Sequence, residues 1–243
     1  MARTRTTQPV IPSAEPGPEL RAKAWEMYEL VVATYGHQPN IPRRDPMHEL
    51  ISTILSQRTT WQNEDRAFQQ MWQRYGSWAA IAQADVDELT ILIAPSNYAE
   101  QKAPRIKEVI GRILDERGEA NIDFLATLPL DEAMAWLTAL PGVGLKTATL
   151  VLLFCFARPV LPVDTHVHRV SQRVGLIGPK VDPTAAHALL LALLPHDPQI
   201  LYNFHVDTLR HGQRICTWSS PKCDQCPLLR ICDYGRKVMG KDR

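Results

Sequence analysis

The 243-residue sequence predicts an all-α fold. Three observations carry that expectation. Apolar residues recur at three- and four-residue spacing along most of the chain, no segment sustains the two-residue alternation of a half-buried strand, and proline and glycine fall mainly at the joints between periodic stretches.

Taken in order, residues 1–18 are rich in Pro, Thr and Ser, offer little to bury, and read as a disordered tail. From Glu19, the residues Leu20, Ala24, Met27, Leu30 and Val31 line one helical face that stops before Gly36. Asp45-Pro46 supplies a helix start, and Met47, Leu50, Ile51, Ile54 and Leu55 follow at helical spacing. Residues 61–75 carry Met71, Trp72 and Tyr75, and 85–93 opens on Asp85 as a cap. In 101–117 the apolar face is Ile106, Val109, Ile110 and Ile113. Further helices are expected over 131–138, 145–157, 165–174, 183–193 and 198–212, about ten in all. Self-similarity at solenoid spacing is absent.

Apolar residues make up 45% of the chain, ordinary for a globular protein. The longest apolar run, around Leu150 to Ala157, falls short of the roughly 18 residues a membrane span needs. The N-terminal segment has basic residues without the apolar stretch of a secretory signal. The expectation is an intracellular protein without a membrane partner: cytoplasmic, or nucleoid-associated in a bacterium. The net charge of +1 conceals an asymmetry: residues 45–138 hold 8 Lys/Arg against 15 Asp/Glu, whereas 139–243 hold 13 against 7. A basic half permits a polyanionic partner, although chance imbalance over solvated faces accounts for it equally well.

Cysteine placement is more informative. Cys216, Cys223, Cys226 and Cys232 fall in the segment CTWSSPKCDQCPLLRIC, with spacing Cys-x6-Cys-x2-Cys-x5-Cys. In a reducing compartment such clustering points to a metal site. Four thiolates suit a closed structural site, and ligand chemistry leaves zinc and a cubane iron–sulfur cluster equally open. Arg210, Arg214, Lys222, Arg230, Arg236 and Lys237 surround the segment and are able to meet phosphates or merely solvate the surface. Cys155, alone within LVLLFCFA, reads as a buried structural thiol.

Residues 140–149 read LPGVGLKTAT, between an expected short helix and an apolar one. In this helix, hairpin, helix arrangement, Gly142, Val143 and Gly144 form the tip. Glycine there allows positive φ and close backbone approach, and the first-turn amides of the second helix point outward, as a phosphate site requires. Lys146 lies in that first turn, where the helix dipole and burial disfavour the ammonium and help produce a neutral, nucleophilic amine. A solvated helix lysine is the commoner state of such a residue. Residues 162–170 read PVDTHVHRV, with Asp164 as the cap of a helix from Thr165. A capping carboxylate stays ionised and is able to stabilise an oxocarbenium-like sugar; taken alone it is more often only a cap. His166 and His168, two apart on a helix, diverge and do not share an ion, though one is placed to brace the site.

Together these residues resemble the endonuclease III family of helix-hairpin-helix DNA glycosylases: LPGVGLKTA, then VDTH 18 residues after its lysine, then the four cysteines, in that order. The likeness runs from about Glu19 to Tyr234. It implies two helical domains flanking a DNA-binding groove: a six-helix barrel over 40–158 containing the helix-hairpin-helix, and an iron–sulfur domain made of 19–39 with 159–243. It further implies a [4Fe–4S] cluster on Cys216, Cys223, Cys226 and Cys232, Lys146 as nucleophile and Asp164 as essential carboxylate. The implied activity is that of a bifunctional DNA N-glycosylase and abasic-site (AP) lyase of base excision repair. Acting as a monomer, it would remove oxidised pyrimidines from duplex DNA and cleave the abasic site by β-elimination through a lysine Schiff base. The damaged nucleotide would be flipped from the stack and its gap filled by protein side chains.

The gap-filling residues depart from the family pattern. Counting from Ser56, Arg58 stands where the family has its plugging glutamine, with Gln57 one place earlier. In SNYAEQKA, Asn97 replaces the usual glycine and Tyr98 takes the place of the apolar wedge. His166 joins Gln57, Arg58, Tyr98 and the hairpin as an expected DNA contact. Three other readings compete. A monofunctional mismatch or adenine glycosylase is disfavoured by Lys146, and a non-catalytic iron–sulfur DNA-binding sensor needs neither Lys146 nor Asp164. A zinc-bearing helical adaptor would lack the brown colour of a cluster.

Overall fold

The computed structural model describes residues 15–240 and is helical throughout, without a strand among them. The helices are α1 (Pro18–Tyr35), α2 (Pro46–Leu55), α3 (Trp61–Tyr75), α4 (Trp78–Gln83), α5 (Val86–Leu92), α6 (Ala99–Arg117), α7 (Leu130–Ala139), α8 (Leu145–Phe156), α9 (Thr165–Val174), α10 (Pro183–Leu191), α11 (Pro198–Arg214) and α12 (Asp233–Val238). Short 3-10 turns occupy Ala94–Ser96, Asp123–Ala126 and Cys223–Gln225. No helix is long and apolar enough to cross a membrane, among the described residues.

The helix starts follow from local chemistry. Asp45, Asp182 and Asp197 each accept backbone N–H bonds from the first turn while the next residue, proline, takes N1, where no N–H is needed. Most of the tail expected over 1–18 lies outside the described residues. At its end the expectation is corrected by one residue: Pro18 already opens α1, for the same N1 reason. Two helices escaped the periodicity. In α4 only Ile81 is buried, too little to make a pattern. Six-residue α12 is tied down by an ion pair of 2.7 Å between Lys23 on α1 and Asp233.

The chain divides into two compact units, one from Ile41 to Arg158 and one combining the residues up to Asn40 with those from Pro159. In the first, α2 packs on α8, α3 and α6, with α4 and α5 against α6. Its core holds Leu50, Ile54, Met71, Ile106, Ile110 and Val151, all fully buried. Burying each such side chain contributes about 1.5–3 kcal/mol. In the second, α11 packs on α9 and α1, and α12 on α9, around Met27, Val31, Val167, Leu201 and Phe204.

Candidate functional site

The hairpin in the 41–158 unit assigns its two glycines different duties. Gly142 has φ +74°, and a Cβ there would run into the Arg105 side chain. Gly144, the N-cap of α8, has φ −93° and ψ −179°, and a Cβ there would meet nothing within 4 Å. Only Gly142 is required by the protein's own backbone. The space over Gly144 is open to a ligand at the amide end of a twelve-residue helix. Val143 between them is buried and anchors the turn.

Lys146 is the second residue of α8, half-buried, in the first turn behind the hairpin. Facing α8 is α2, and Glu49 on α2 is a residue the sequence did not flag. Burial pushes its carboxyl pKa up, Arg44 and Lys146 pull it down, and Glu64 raises it. Lys146 therefore has a carboxyl within electrostatic reach. Burial also pushes up the pKa of the Cys155 thiol, as expected of a structural cysteine, although that side chain is only half-buried.

The expected gap-filling residues come together in the same unit. Gln57 donates from Nε2 to the Gly142 carbonyl at 3.2 Å, tying the end of α2 to the hairpin. Arg58 is exposed and its guanidinium carbon lies 5.5 Å from the centroid of the Tyr98 ring, which is itself 45% exposed. Asn97 Nδ2 donates to the Arg58 carbonyl at 3.1 Å and to Thr59 Oγ1 at 3.3 Å. Arg58, Asn97 and Tyr98 all have positive φ, at 56°, 62° and 50°. Asn97, at φ 62° and ψ 154°, lies outside the left-handed helical region that asparagine tolerates, in backbone space open almost only to glycine, and its side-chain bonds to Arg58 and Thr59 help hold it there.

In the other unit, Asp164 caps α9: its Oδ1 accepts from the His166 and Val167 amides at 2.9 and 2.7 Å, leaving Oδ2 outside the cap. His166 is half-buried, with Cβ close over Gly212 and Nδ1 at 3.1 Å from Arg169 Nη2. His168 turns elsewhere, its Nε2 2.8 Å from the Val181 carbonyl. The two histidines diverge.

The four clustered cysteines are free and line one cavity with Val170, Val174, Leu228 and other apolar side chains. No three His, Cys, Asp or Glu side chains converge as a metal-ion site among the described residues. Burial pushes the Cys226 thiol up to about 12 and raises Cys223 and Cys232. Arg173 Nη1 donates to Cys216 Sγ at 3.3 Å and the Gly235 amide to Cys232 Sγ at 3.3 Å, and His211 Nε2 lies 3.4 Å from Cys226 Sγ. Buried Arg169 donates to the Cys216 carbonyl at 3.0 Å. Of the cations around the segment, Arg210 pairs with Asp207 and Arg230 with Glu26.

A residue the sequence passed over lies at the centre of the first group. Lys102 on α6 is 1% exposed and donates to three carbonyls: Leu55 at 2.7 Å, Gln57 at 2.8 Å and Ser96 at 2.6 Å. A lysine at the second position of an expected helix reads as solvated, and nothing local betrays its burial.

Comparison with known proteins agrees with this geometry. Residues 51–196 match the model described as HhH-GPD superfamily base excision DNA repair protein. Endonuclease III of Thermotoga maritima is 36% identical over 198 residues, covering 82% of this chain and 87% of that protein. A non-covalent endonuclease III–DNA complex superposes with a TM-score of 0.78 at 25% identity, covering 91% of this chain and 99% of that one. A trapped endonuclease III–DNA covalent intermediate gives 0.77 at 25% identity, covering 90% and 98%. With its helical fold, its hairpin and its capped Asp164, the chain belongs to the HhH-GPD superfamily of base excision DNA repair proteins and, within it, to the endonuclease III family.

Proposed function

We propose that this protein, a base excision DNA glycosylase and AP lyase by family, removes oxidised pyrimidines from duplex DNA and works as a monomer. The observation that carries the reading is the hairpin: an open approach over Gly144 leading to a helix whose second residue is Lys146. A phosphate bound by the first-turn amides would bring the adjoining sugar toward that lysine.

In this mechanism the neutral Lys146 amine attacks C1′ of the flipped nucleotide. The bond from C1′ to the base breaks, and the base leaves with the electron pair and takes up a proton. Asp164, whose Oδ1 caps α9 and whose Oδ2 lies outside the cap, would stabilise the positive charge developing on the sugar. Loss of a proton from nitrogen and opening of the ring give an imine. Removal of a C2′ proton then expels the 3′ phosphate, and water releases the enzyme.

Cys216, Cys223, Cys226 and Cys232 would hold a [4Fe–4S] cluster. The four cysteines line one cavity, and burial raises the thiol pKa values of Cys223, Cys226 and Cys232, so a cationic centre there would be needed to hold them as thiolates. Held there, such a cluster would supply structure and pin the basic segment around it.

Borohydride trapping tests the reading, on a duplex with one thymine glycol and on an abasic-site duplex. A covalent complex with both, lost in Lys146→Gln, is expected. Trapping on the abasic duplex alone would overturn the lesion assignment and keep the lyase. No trapping on either, with an intact cluster, would overturn Lys146 as nucleophile.

A further inference from the structure

Lys102 is an expensive residue for an interior. A buried ammonium loses its hydration and is tolerated only when every donor is satisfied. Here three donors meet three carbonyls, and these come from two segments far apart in sequence. Leu55 ends α2, where helix carbonyls lack partners within the helix, and Gln57 lies in the turn just past its C-cap Ser56. Ser96 closes the 3-10 turn that leads into Asn97 and Tyr98. An apolar side chain would fill the same space without clasping either segment.

The residues next to the clasped carbonyls are the ones offered to DNA. Arg58 follows Gln57, and Asn97 and Tyr98 follow Ser96. These three account for three of the four positive-φ non-glycine residues among those described, the fourth being Ala157. Each such conformation costs about 1 kcal/mol or more and persists only where its surroundings over-determine it. Arg58 and Tyr98 are exposed, so packing supplies little of that support.

We propose that Lys102 is a positioning residue for lesion reading: its ammonium clasps the two loops that carry Gln57–Arg58 and Asn97–Tyr98 and presets those side chains for the gap left by an extruded nucleotide. The inference rests on the DNA-reading role given to these loops under the proposed function. The charge state is part of the clasp. Burial and the neighbouring Arg105 lower the Lys102 pKa to about 8, while only the ammonium has a donor for each carbonyl; a neutral amine would release one.

A double-mutant cycle tests this in the full chain with its cluster intact. The probes are a duplex carrying a tetrahydrofuran abasic analogue, which cannot be cleaved, and the same duplex undamaged. The affinity ratio between them is measured for the wild type, Lys102→Met, Tyr98→Ala and the double variant, with thermal unfolding alongside. Lys102→Met is expected to lower the ratio about tenfold, as is Tyr98→Ala, and the double variant should fall no further because both act through one wedge. Additive losses, or an equal loss on both duplexes, would overturn the proposal. If Lys102→Met does not fold, Lys102→Arg is put through the same cycle, where the charge persists but the three-carbonyl fit does not. A smaller loss that vanishes in the Tyr98→Ala background supports the clasp, and wild-type discrimination overturns it. A wild type that does not discriminate would overturn the gap-reading role, and with it the clasp. Failure of excision or trapping by the wild type with discrimination intact would strike the proposed activity alone.

Discussion

Replacing Gly144 with alanine separates what the hairpin does for the protein from what it does for a ligand. In the free protein the substitution is nearly silent. The backbone at φ −93° and ψ −179° is open to any L residue, and the new methyl meets nothing within 4 Å. The unfolded chain loses freedom, stabilising the fold by about 0.4–1 kcal/mol, while alanine is a poorer N-cap than glycine by a similar amount. Stability should therefore change by less than about 1 kcal/mol. In the complex, the methyl occupies the space through which a phosphate would reach the first-turn amides of α8. Losing one charge-assisted hydrogen bond costs about 1.5–3 kcal/mol, roughly 10- to 100-fold in affinity. Fluorescence anisotropy with an abasic-analogue duplex over a salt series reads this directly, and the log–log salt slope should shrink by about 0.9 for one lost phosphate contact. Gly142→Ala is the contrasting control: φ +74° and the Arg105 side chain should make it destabilising by at least about 1 kcal/mol without DNA. Unchanged affinity and slope in Gly144→Ala would refute a phosphate over the hairpin.

Other perturbations address the rest of the site. Lys146→Gln removes the amine without a gross change in length; DNA affinity should stay near wild type while imine trapping falls by at least about a thousandfold. Cys223→Ser removes one of the four sulfurs, so absorbance near ~400 nm and thermal stability should fall together, read by spectroscopy on protein purified without oxygen. Asp207 on α11 is fully buried, its Oδ2 carries no hydrogen bond, and Arg210, His37, Tyr28 and Tyr35 are the titratable or charged groups around it. Burial raises its pKa from 3.8 to about 6, against the pull of Arg210 and His37. The unfolded chain thus releases this proton first, and stability contributed by the protonated form is lost as pH rises from about 4 to 6. Denaturant unfolding of Asp207→Asn should lack that loss, gaining about 2 kcal/mol on the wild type between pH 4 and 7.

Much of this molecule was legible before folding because its signals are local. Asp-Pro pairs set helix starts through bonds spanning two or three residues, and apolar spacing set the buried faces of α2 and α6. The hairpin, the capped Asp164 and the cysteine spacing are contiguous patterns, so the family was readable from them. Arg58 and Tyr98 were readable as candidates through resemblance, but not their proximity, since 39 residues separate the loops that carry them.

The sequence by itself determined the helical class, the family and the residue types available for chemistry, because each rests on spacing within a short segment. The tertiary structure alone decided which of the two hairpin glycines serves the fold and which leaves room for a ligand, since that depends on where Arg105 lies. It also decided that Glu49 senses Lys146, and that Lys102, to all local appearance a surface lysine, is interior. Burial and electrostatic reach are properties of packing between distant segments, and a lysine's role follows from the carbonyls that packing brings to it.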